Sequence, residues 1–449
     1  MPVRWPPVLP PGPREPALVQ ILRWVARPLE LLDACHRRHG DVFTMRAPGG
    51  VSFVVVATPE LIKQVLAADS DVLLAGVGNA TLLEPMLGRH SLLTLDGKEH
   101  LRQRRLLLPA FHGERVHGFA AVMREITEAS FAGWPVGRPF ALHPLMQSIT
   151  LDVILRTVFG LVDSPAHREL RDQLVELLDV ATNPWLLLPG MLGIDPLRVP
   201  WLRIARLKRA LDASLYRLIA ERRREPAGGS DVLAMMLAAR DDQGRAMTDV
   251  ELRDELVTLL LAGHETTATS LAWTFERLLA NPHTFDRLAG ELAAGDDAYL
   301  DGVIRETLRV RPIVPLIGRH VARPFQLGPW LVPAGSRIAP SIYLAGKNPQ
   351  AYPAPERFEP ERWIGVKPDP YTWLPFGGGI RRCIGMAFAQ FEMRVVLQTV
   401  VPRARMRLAD GPARVTRRGI TLAPKGGTRV VLEERRAERA QSAPVRARS

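Results

Sequence analysis

The chain has 449 residues, of which 47% are hydrophobic and 24% are charged, so the composition is that of a globular protein and excludes a largely disordered chain. The net charge of +12 comes from arginines dispersed over helix-like segments without interleaved aromatic residues, which argues against nucleic acid as a partner. Two cysteines, Cys35 and Cys383, are too few for a disulfide framework or for a four-cysteine iron–sulfur cluster.

The N-terminal segment is rich in proline and contains no apolar run long enough for a signal peptide or a membrane span. We therefore expect a cytoplasmic protein without stable membrane insertion. No Gly/Ser linker or internal repeat divides the chain. We expect one domain over residues 1–432, followed by a charged tail over residues 433–449 that has no apolar face.

Strand and helix patterns follow one another along the chain. Residues 41–57 predict two strands around a Pro-Gly-Gly turn, and a helix is expected to begin after Thr58. Further strand-like segments lie near 324–343 and 414–432. The segments with helical periodicity are 113–132, 145–160, 165–180, 201–224, 248–280, 297–310 and 384–400. These patterns predict a mainly α protein with a minor β part.

The longest predicted helix begins with a capping box of Thr248 and Glu251. It would span about 50 Å, and its apolar centre predicts that it is buried. The polar sequence AGHETT interrupts this dry helix at residues 262–267. Its glycine costs about 1 kcal/mol relative to alanine, and an acid beside an alcohol, Glu265 and Thr266, can relay protons.

Two other interpretations of this polar sequence have to be weighed. Threonines inside a helix are commonly a packing or tilt feature. The pair His264-Glu265 also resembles the start of a zinc-protease motif, but Ala268 stands where that motif requires its second histidine.

The second cysteine lies in a glycine-rich loop, Phe376 to Gly385, directly before a predicted helix. A cysteine at a helix N-terminus with arginines beside it has its thiolate favoured by the helix dipole and by positive charge. The glycines allow a flat macrocycle to approach the backbone closely. Taken alone, such a cysteine is more commonly an inert buried residue.

The loop pattern F-x-x-G-x-R-x-C-x-G resembles the haem-binding loop of the cytochrome P450 family, and AGHET resembles that family's oxygen-activation motif. The resemblance extends from about residue 9 to residue 427. It implies the cytochrome P450 fold, with a long central helix over the haem and small β-sheets. It also implies haem b as cofactor, iron ligation by Cys383, and roles for Glu265 as the acid and Thr266 as the alcohol in oxygen activation.

The same resemblance assigns a structural network. Glu306 and Arg309 match the family's acid–base helix pair, and the sequence FEPERW, which contains Arg362, matches its F-x-P-E-R-F element. The resemblance implies that these three side chains brace the haem-side core. Trp363 replaces the usual phenylalanine, and Gly346-Lys347 stands where many relatives carry His-Arg.

Haem contacts and pocket residues also follow from the resemblance. The residues implied to bind haem, four of them (His100, Arg104, Arg319 and Arg381) through its propionates, are His100, Arg104, Arg319, Phe376, Gly379, Arg381 and Gly385. The residues implied to line the substrate pocket are Leu82, Leu83, Met86, Leu87, Leu259, Ala262, Gly263, Ile313, Val314, Leu316 and Ile420. A hydrophobic loop at residues 185–192 is expected at the pocket entrance.

We therefore expect an enzyme that inserts one oxygen atom from O2 into an apolar, lipid-like or terpenoid molecule by hydroxylation or epoxidation. Electrons would come from a ferredoxin or flavodoxin with its NAD(P)H reductase, steered to a positive face made by Arg102, Arg105, Arg381 and Arg382. A peroxide-driven haem peroxygenase and a non-catalytic haem-thiolate sensor are the alternatives. Both would have less need of the pair Glu265 and Thr266.

Overall fold

A computed structural model of the protein describes residues 9–162, 164–181, 202–225 and 228–436. All seven segments with helical periodicity are confirmed as helices, although the first is divided into two helices at Phe119. In chain order the helices are α1 Ala17–Ala26, α2 Pro28–His39, α3 Pro59–Leu66, α4 Ala75–Leu87, α5 Gly97–Leu107, α6 Glu114–Gly118, α7 Ala120–Ala132, α8 His143–Thr157, α9 Pro165–Ala181, α10 Leu202–Arg222, α11 Val232–Ala238, α12 Asp249–Leu279, α13 Pro282–Ala293, α14 Ala298–Val310, α15 Ile342–Ala345 and α16 Met386–Val400.

The strands are short and form small sheets, which confirms a mainly α protein with a minor β part. In chain order they are β1 Val42–Arg46, β2 Ser52–Val56, β3 Leu73–Leu74, β4 Pro139–Ala141, β5 Arg319–Val321, β6 Phe325–Leu327, β7 Trp330–Val332, β8 Arg337–Pro340, β9 Ala404–Leu408, β10 Val415–Arg418, β11 Thr421–Pro424 and β12 Arg429–Arg435. The largest sheet has the strand order β1-β2-β8-β5-β3, and a second has the order β4-β12-β9. The pairs β6–β7 and β10–β11 are separate antiparallel hairpins.

The hairpin predicted over residues 41–57 is β1–β2, with a short 3-10 turn at Pro48–Gly50. Its second strand pairs in parallel with β8, which comes from a distant part of the chain. One side of this sheet forms an apolar core with α3, and the other side packs on α2. The sheet therefore joins the N-terminal part of the chain to the segment that precedes the cysteine loop.

Helix α12 crosses the interior and carries the polar sequence at its centre. The predicted capping box is present, because the Thr248 side chain accepts the Glu251 N–H at 3.2 Å and the Glu251 carboxylate accepts the Thr248 N–H at 2.7 Å. Helix α8 packs along α12 at Gly263, where an added Cβ would lie 3.0 Å from Cδ1 of Ile154. The missing side chain of Gly263 thus allows the two helices to approach closely.

The C-terminal strand corrects the expected domain boundary. Strand β12 continues to Arg435 because residues beyond 432 still pair with β9, Glu434 with Arg405 and Arg435 with Ala404. The residues from 437 onward and the loop expected at 185–192 lie outside the described part of the chain. Within the described part, no helix is both long enough and apolar enough to cross a membrane.

Candidate active site

The cysteine loop is shaped by its glycines and by a backbone hydrogen bond. The N–H of Cys383 donates to the carbonyl of Phe376 at 2.9 Å, which closes the loop. Gly379 has φ +63°, and a Cβ there would lie 2.5 Å from the carbonyl oxygen of Leu66 at the end of α3. Only glycine allows both the positive φ and the close approach to the Leu66 carbonyl, so the loop packs tightly on α3. The Phe376 ring packs on Trp373 with ring centroids 6.0 Å apart.

The sulfur of Cys383 lies three residues before α16, in a recess. The residue is exposed to solvent, yet protein surrounds its sulfur closely enough for burial to affect the pKa of the thiol. Burial raises the pKa of its thiol, and the Gly385 N–H together with the charges of Arg104 and Arg382 lowers it. The predicted thiolate-favouring groups are thus in place, but in the protein alone the effect of burial outweighs them. A Cβ at Gly385 would meet no other atom within 4 Å, so the loop leaves open space beside the sulfur.

Four basic side chains converge on this recess from three different elements. His100 and Arg104 come from α5, Arg319 from β5, and Arg381 from the cysteine loop itself. Burial and the three nearby guanidinium groups lower the pKa of His100 to about 3, so its ring is neutral. Burial and the charge of Arg381 lower the pKa of Arg319 to about 10. The four predicted propionate-side residues are therefore brought together, and their three guanidinium groups repel one another.

Within the described residues, one carboxylate offsets part of the positive charge of these basic side chains. Asp96 forms an ion pair with Arg381 and also accepts the N–H groups of Ala75, Gly76 and Val77 at 2.8–3.0 Å. Its carboxylate therefore caps the first turn of α4, whose N-terminal backbone N–H groups would otherwise lack hydrogen-bond acceptors. The basic cluster keeps a surplus of positive charge.

The residues fit a haem. Guanidinium groups in surplus suit the two propionates of the macrocycle, and Nδ1 of His100 is buried without a hydrogen-bond partner. The open space at Gly385 can accept the flat ring next to the sulfur. No group of three His, Cys, Asp or Glu side chains in the described chain could hold a metal ion, so Cys383 would supply the protein's ligand to an iron that the macrocycle carries.

The central polar sequence divides between two faces of α12. The hydroxyl of Thr266 donates to the carbonyl of Ala262 at 2.6 Å, and Ala262 is exposed although most of α12 is buried. The carboxylate of Glu265 instead accepts Gln147 at 2.7 Å and Arg418 at 2.9 Å. Burial raises the pKa of Glu265, and the charge and hydrogen bonds of Arg418 and Gln147 lower it. The structure therefore does not place the acid and the alcohol in direct contact.

Two histidines lie behind Glu265 in the interface with α8. Nε2 of His143 lies 3.0 Å from the Thr269 hydroxyl, and Nδ1 of His264 lies 2.9 Å from the Thr150 hydroxyl. Burial lowers the pKa of His143 to about 4 and that of His264 to about 3. Both imidazoles are therefore neutral at physiological pH, and they supply hydrogen bonds rather than charge.

The expected pocket residues fall into two groups. Those that present surface are Leu82, Leu83, Met86, Leu259, Ala262, Val314 and Ile420. Leu87 and Ile313 are only 3% and 9% exposed, so they are core residues that offer little surface to a ligand. Gly263 faces Ile154, and Leu316 packs on the core shared by α2 and β1. Gly263 and Leu316 are nevertheless partly exposed, whereas the packing of helices and sheets leaves little surface on Leu87 and Ile313.

The predicted bracing side chains form one buried network. Glu306 is fully buried and accepts two hydrogen bonds from Arg309, at 2.7 and 2.8 Å. Arg362 adds a third at 3.0 Å, and the indole N–H of Trp363 adds a fourth at 2.9 Å. The tryptophan that replaces the family's phenylalanine is therefore not a neutral exchange, because it donates to the buried carboxylate.

The Gly346-Lys347 departure is accommodated by other contacts. The carbonyl of Gly346 accepts Nη1 of Arg309 at 2.7 Å, and a Cβ there would lie 3.0 Å from the Arg309 carbonyl. Nζ of Lys347 pairs with Asp33 at 3.1 Å and with Glu356 at 2.9 Å. The lysine thus ties α15 to α2, and the glycine allows the close approach to α14.

The positive face expected from four arginines is not formed as predicted. Arg102 makes two ion pairs, at 2.7 and 2.6 Å, and Arg105 makes one at 2.7 Å, all with carboxylates in residues 241–251. Arg381 turns inward to Asp96 and to backbone carbonyls. Arg382 alone of the four stays exposed without an ion pair in the described structure. The opposite charges that offset the others are distant in sequence, so the linear pattern did not reveal them.

Several residues of the site were not predicted from the sequence. Gln147 and His143 on α8 and Arg418 on β10 had no motif to mark them. Asp96 did carry a signal, because it precedes α5 directly and could have been considered as a helix-capping group. Its actual role, capping α4 and pairing with Arg381, depends on contacts across 20 and 285 residues.

Comparisons with known proteins agree over nearly the whole chain. The sequence model of the family Cytochrome P450 matches residues 9–428. The chain is 44% identical over 410 residues to a Mycobacterium tuberculosis protein designated cytochrome P450 135B1, and the match covers 89% of this chain and 85% of that protein. It is 40% identical over 444 residues to one designated cytochrome P450 138 from the same species, covering 96% and 98%.

Solved structures agree on the fold. The structure of retinoic acid-bound cyanobacterial CYP120A1 superposes with a TM-score of 0.80 at 23% identity, covering 96% of this chain and all of that one. The haem domain of cytochrome P450DA superposes with a TM-score of 0.81 at 23% identity, covering 95% and 98%. The family model, the relatives and the fold lead to one conclusion. This chain belongs to the cytochrome P450 family and is a haem-dependent monooxygenase.

Proposed function

We propose that the protein inserts one oxygen atom from O2 into an apolar small molecule, by hydroxylation or epoxidation, in the space between the Cys383 loop and α12. A haem held through the thiolate of Cys383 would supply the electron density that favours O–O cleavage. The observation that carries the proposal is the acid–alcohol pair on α12, in which Thr266 lies beside the exposed Ala262 and Glu265 reaches polar partners behind it.

In this proposal the chain's own groups manage protons. The hydroxyl proton of Thr266 is donated to Ala262 O, so the oxygen of Thr266 keeps its lone pairs free to accept from a water or a reacting group. Glu265 is the nearby acid, and burial brings its pKa up toward the range useful for proton transfer. The two side chains act on opposite sides of the same helical turn.

Replacing Thr266 with alanine tests this assignment. We expect product formed per electron pair to fall by at least about tenfold, with the electrons recovered as hydrogen peroxide, because positioned proton donors contribute about 100-fold or more. The measurement compares product, peroxide and NAD(P)H consumed in the same reaction.

Thr274→Ala is the matched control, since Thr274 makes the same backbone contact, to Ser270 O at 2.8 Å, two turns away and fully buried. A Thr266→Ala enzyme that stays coupled would contradict the proton role. If neither Thr266→Ala nor Thr274→Ala showed O2-dependent turnover, and both turned over equally with peroxide as oxidant, the peroxygenase alternative would be favoured.

We further propose that the substrate is lipid-like or terpenoid. The support is the apolar character of the accessible pocket residues on α4 and α12, and of Ile420, which is 43% exposed at the β10–β11 turn. Titrating the purified holoenzyme with fatty acids, terpenes and sugars tests this. We expect a saturable low-spin to high-spin shift with the first two classes. Saturable shifts with sugars alone would contradict it.

Electrons are proposed to come from a separate ferredoxin or flavodoxin and its NAD(P)H reductase. The support is that two cysteines, one of them assigned to iron, leave this chain without the ligands for an iron–sulfur cluster of its own. A cytoplasmic location is proposed with it, since both cysteines are free thiols, as is usual in a reducing compartment.

A further inference from the structure

The β10–β11 hairpin carries two adjacent arginines that point to opposite sides. The guanidinium of Arg417 lies over the ring of Trp24 on α1, with 4.7 Å to the ring centroid. Nε of Arg418 reaches across to the carboxylate of Glu265 on α12 at 2.9 Å. The tip of the hairpin, Gly419 and Ile420, follows directly after Arg418. The hairpin thus connects an exposed tip, where Ile420 was expected to line the pocket, to the acid of the central helix.

Arg418 holds a special position among the neighbours of Glu265. In the described residues it is the one permanently charged group that forms an ion pair with this carboxylate. Nε2 of His143 lies 3.8 Å from the carboxylate, but that histidine is neutral near pH 7. Gln147 contributes an uncharged hydrogen bond to the second oxygen. Removal of Arg418 would therefore leave a buried carboxylate, 5% exposed, with no countercharge.

The pair also determines where the carboxylate points. Its two oxygens are bound by Arg418 on one side and by Gln147 on the other, and Thr266 is not among its partners. A proton can pass from Glu265 toward the Thr266 side only when the carboxyl group leaves Arg418. Arg418 is two residues from Ile420, the expected pocket residue at the hairpin tip.

We infer that Arg418 is a positioning residue for Glu265. It holds the carboxylate ionised and turned away from Thr266; when a substrate moves the hairpin tip and loosens the pair, the carboxylate takes up a proton from water and can pass it to the Thr266 side. The inference rests on the proposed function, since it assigns Glu265 a part in proton delivery. It couples pocket occupancy to the proton supply through Arg418 and Ile420, two residues apart in one hairpin.

The groups that could change charge around Glu265 are few. Helix α8 presents His143, α12 presents His264, and β10 presents Arg418, while Arg171 on α9 acts on His264 from further away. Both histidines have lowered pKa values, of about 4 and about 3, so they do not change charge above about pH 5. Glu265, whose pKa burial raises, is therefore the group whose change of charge the pH experiment follows.

Thermal unfolding across pH tests the pair without any turnover. Burial already holds the pKa of Glu265 above its ordinary value, so the protonated form favours folding at low pH and this contribution is lost as pH rises through the folded pKa. Arg418→Gln raises that pKa further. We expect the melting temperature of Arg418→Gln to approach the unmodified protein near pH 5 and to fall increasingly below it toward pH 8. Arg418→Lys should restore most of the difference.

Two controls make the result specific. Arg417→Gln removes an arginine from the same strand but on the Trp24 side, and its melting difference is expected to stay constant with pH. Adding Glu265→Gln to Arg418→Gln should abolish the pH dependence, because the titrating group is gone. Parallel melting curves for Arg418→Gln and the unmodified protein over this range would overturn the inference.

Turnover of the holoenzyme supplies the second readout. With an apolar substrate from the spin-shift titration, we expect Arg418→Gln to lower coupled product by about tenfold at neutral pH, to move the pH profile of coupling upward, and to regain coupling as Arg418→Lys. Identical pH profiles for the three enzymes would overturn the inference. A Thr266→Ala enzyme that stays fully coupled would instead overturn the proposed function, while leaving the melting result intact.

Discussion

Cys383→Ser is expected to abolish the absorbance of a thiolate-ligated haem and all O2-dependent turnover. Serine has nearly the same size but offers a hydroxyl that stays protonated near neutral pH, so it cannot supply the anionic sulfur that the iron requires. The basic cluster of His100, Arg104 and Arg319 remains, so the variant should still take up haem, with weaker affinity. The measurement is the spectrum of the reduced carbon monoxide complex, together with haem content per chain.

Cys35→Ala is the control for this experiment. Cys35 is the other thiol of the chain, 4% exposed in the core between α2 and β1, far in sequence from the glycine loop. It should lose about 1 kcal/mol of stability through a small cavity and keep the full thiolate spectrum. If Cys383→Ser kept the spectrum, or if Cys35→Ala lost it, the assignment of the iron ligand would be wrong.

Glu306→Gln is expected to destabilise the protein by about 3–5 kcal/mol, because it leaves the buried guanidinium of Arg309 without its countercharge. Arg309 is 3% exposed and donates two of its hydrogen bonds to this carboxylate. The amide nitrogen of glutamine would face donors from Arg309, Arg362 or Trp363 whichever way it turned. The measurement is the midpoint of denaturant unfolding at matched haem loading.

Glu291→Gln repeats the same chemical change on the surface. Glu291 pairs with Arg287 one turn away at 2.8 Å in a partly exposed position, so its loss should cost less than about 1 kcal/mol. Trp363→Phe restores the family residue and removes one donor to Glu306, at a cost of about 1.5–3 kcal/mol. Equal midpoints for Glu306→Gln and Glu291→Gln would show that the network does not stabilise the fold.

Long periodic helices were predictable, and shorter interrupted ones were not. Helix α12 has its capping box and a buried centre, and both are visible in the linear sequence. Helix α4 contains two glycines and Pro85, and its first turn depends on the Asp96 carboxylate from 20 residues away. Helix α13 begins at Pro282, directly after the end of α12, and lies between the predicted helical segments 248–280 and 297–310. Proline both ends one helix and occupies the first turn of the next.

The features of the candidate site likewise divide into those that the sequence predicts and those that it does not. The cysteine loop and the Thr248–Glu251 cap depend on residues within ten positions of each other, so their spacing carries the information. The pair Glu265 and Arg418 joins residues 153 positions apart, and the ion pairs that offset Arg102 span 139 and 149 positions. No local pattern distinguishes these partners from other charged residues on a basic chain.

The sequence by itself determined the mainly α class, because helical periodicity is a local property of the chain, and its family motifs predict Cys383 as the iron ligand and Glu265 with Thr266 as the acid–alcohol pair. Only the tertiary structure decided which way Glu265 turns, which arginines keep a free charge, and why Gly263 is a glycine. Those outcomes depend on which distant side chains pack together in the interior. The energy of an ion pair, or of a close helix approach at a glycine, comes from these neighbours, and the order of residues along the chain does not specify them.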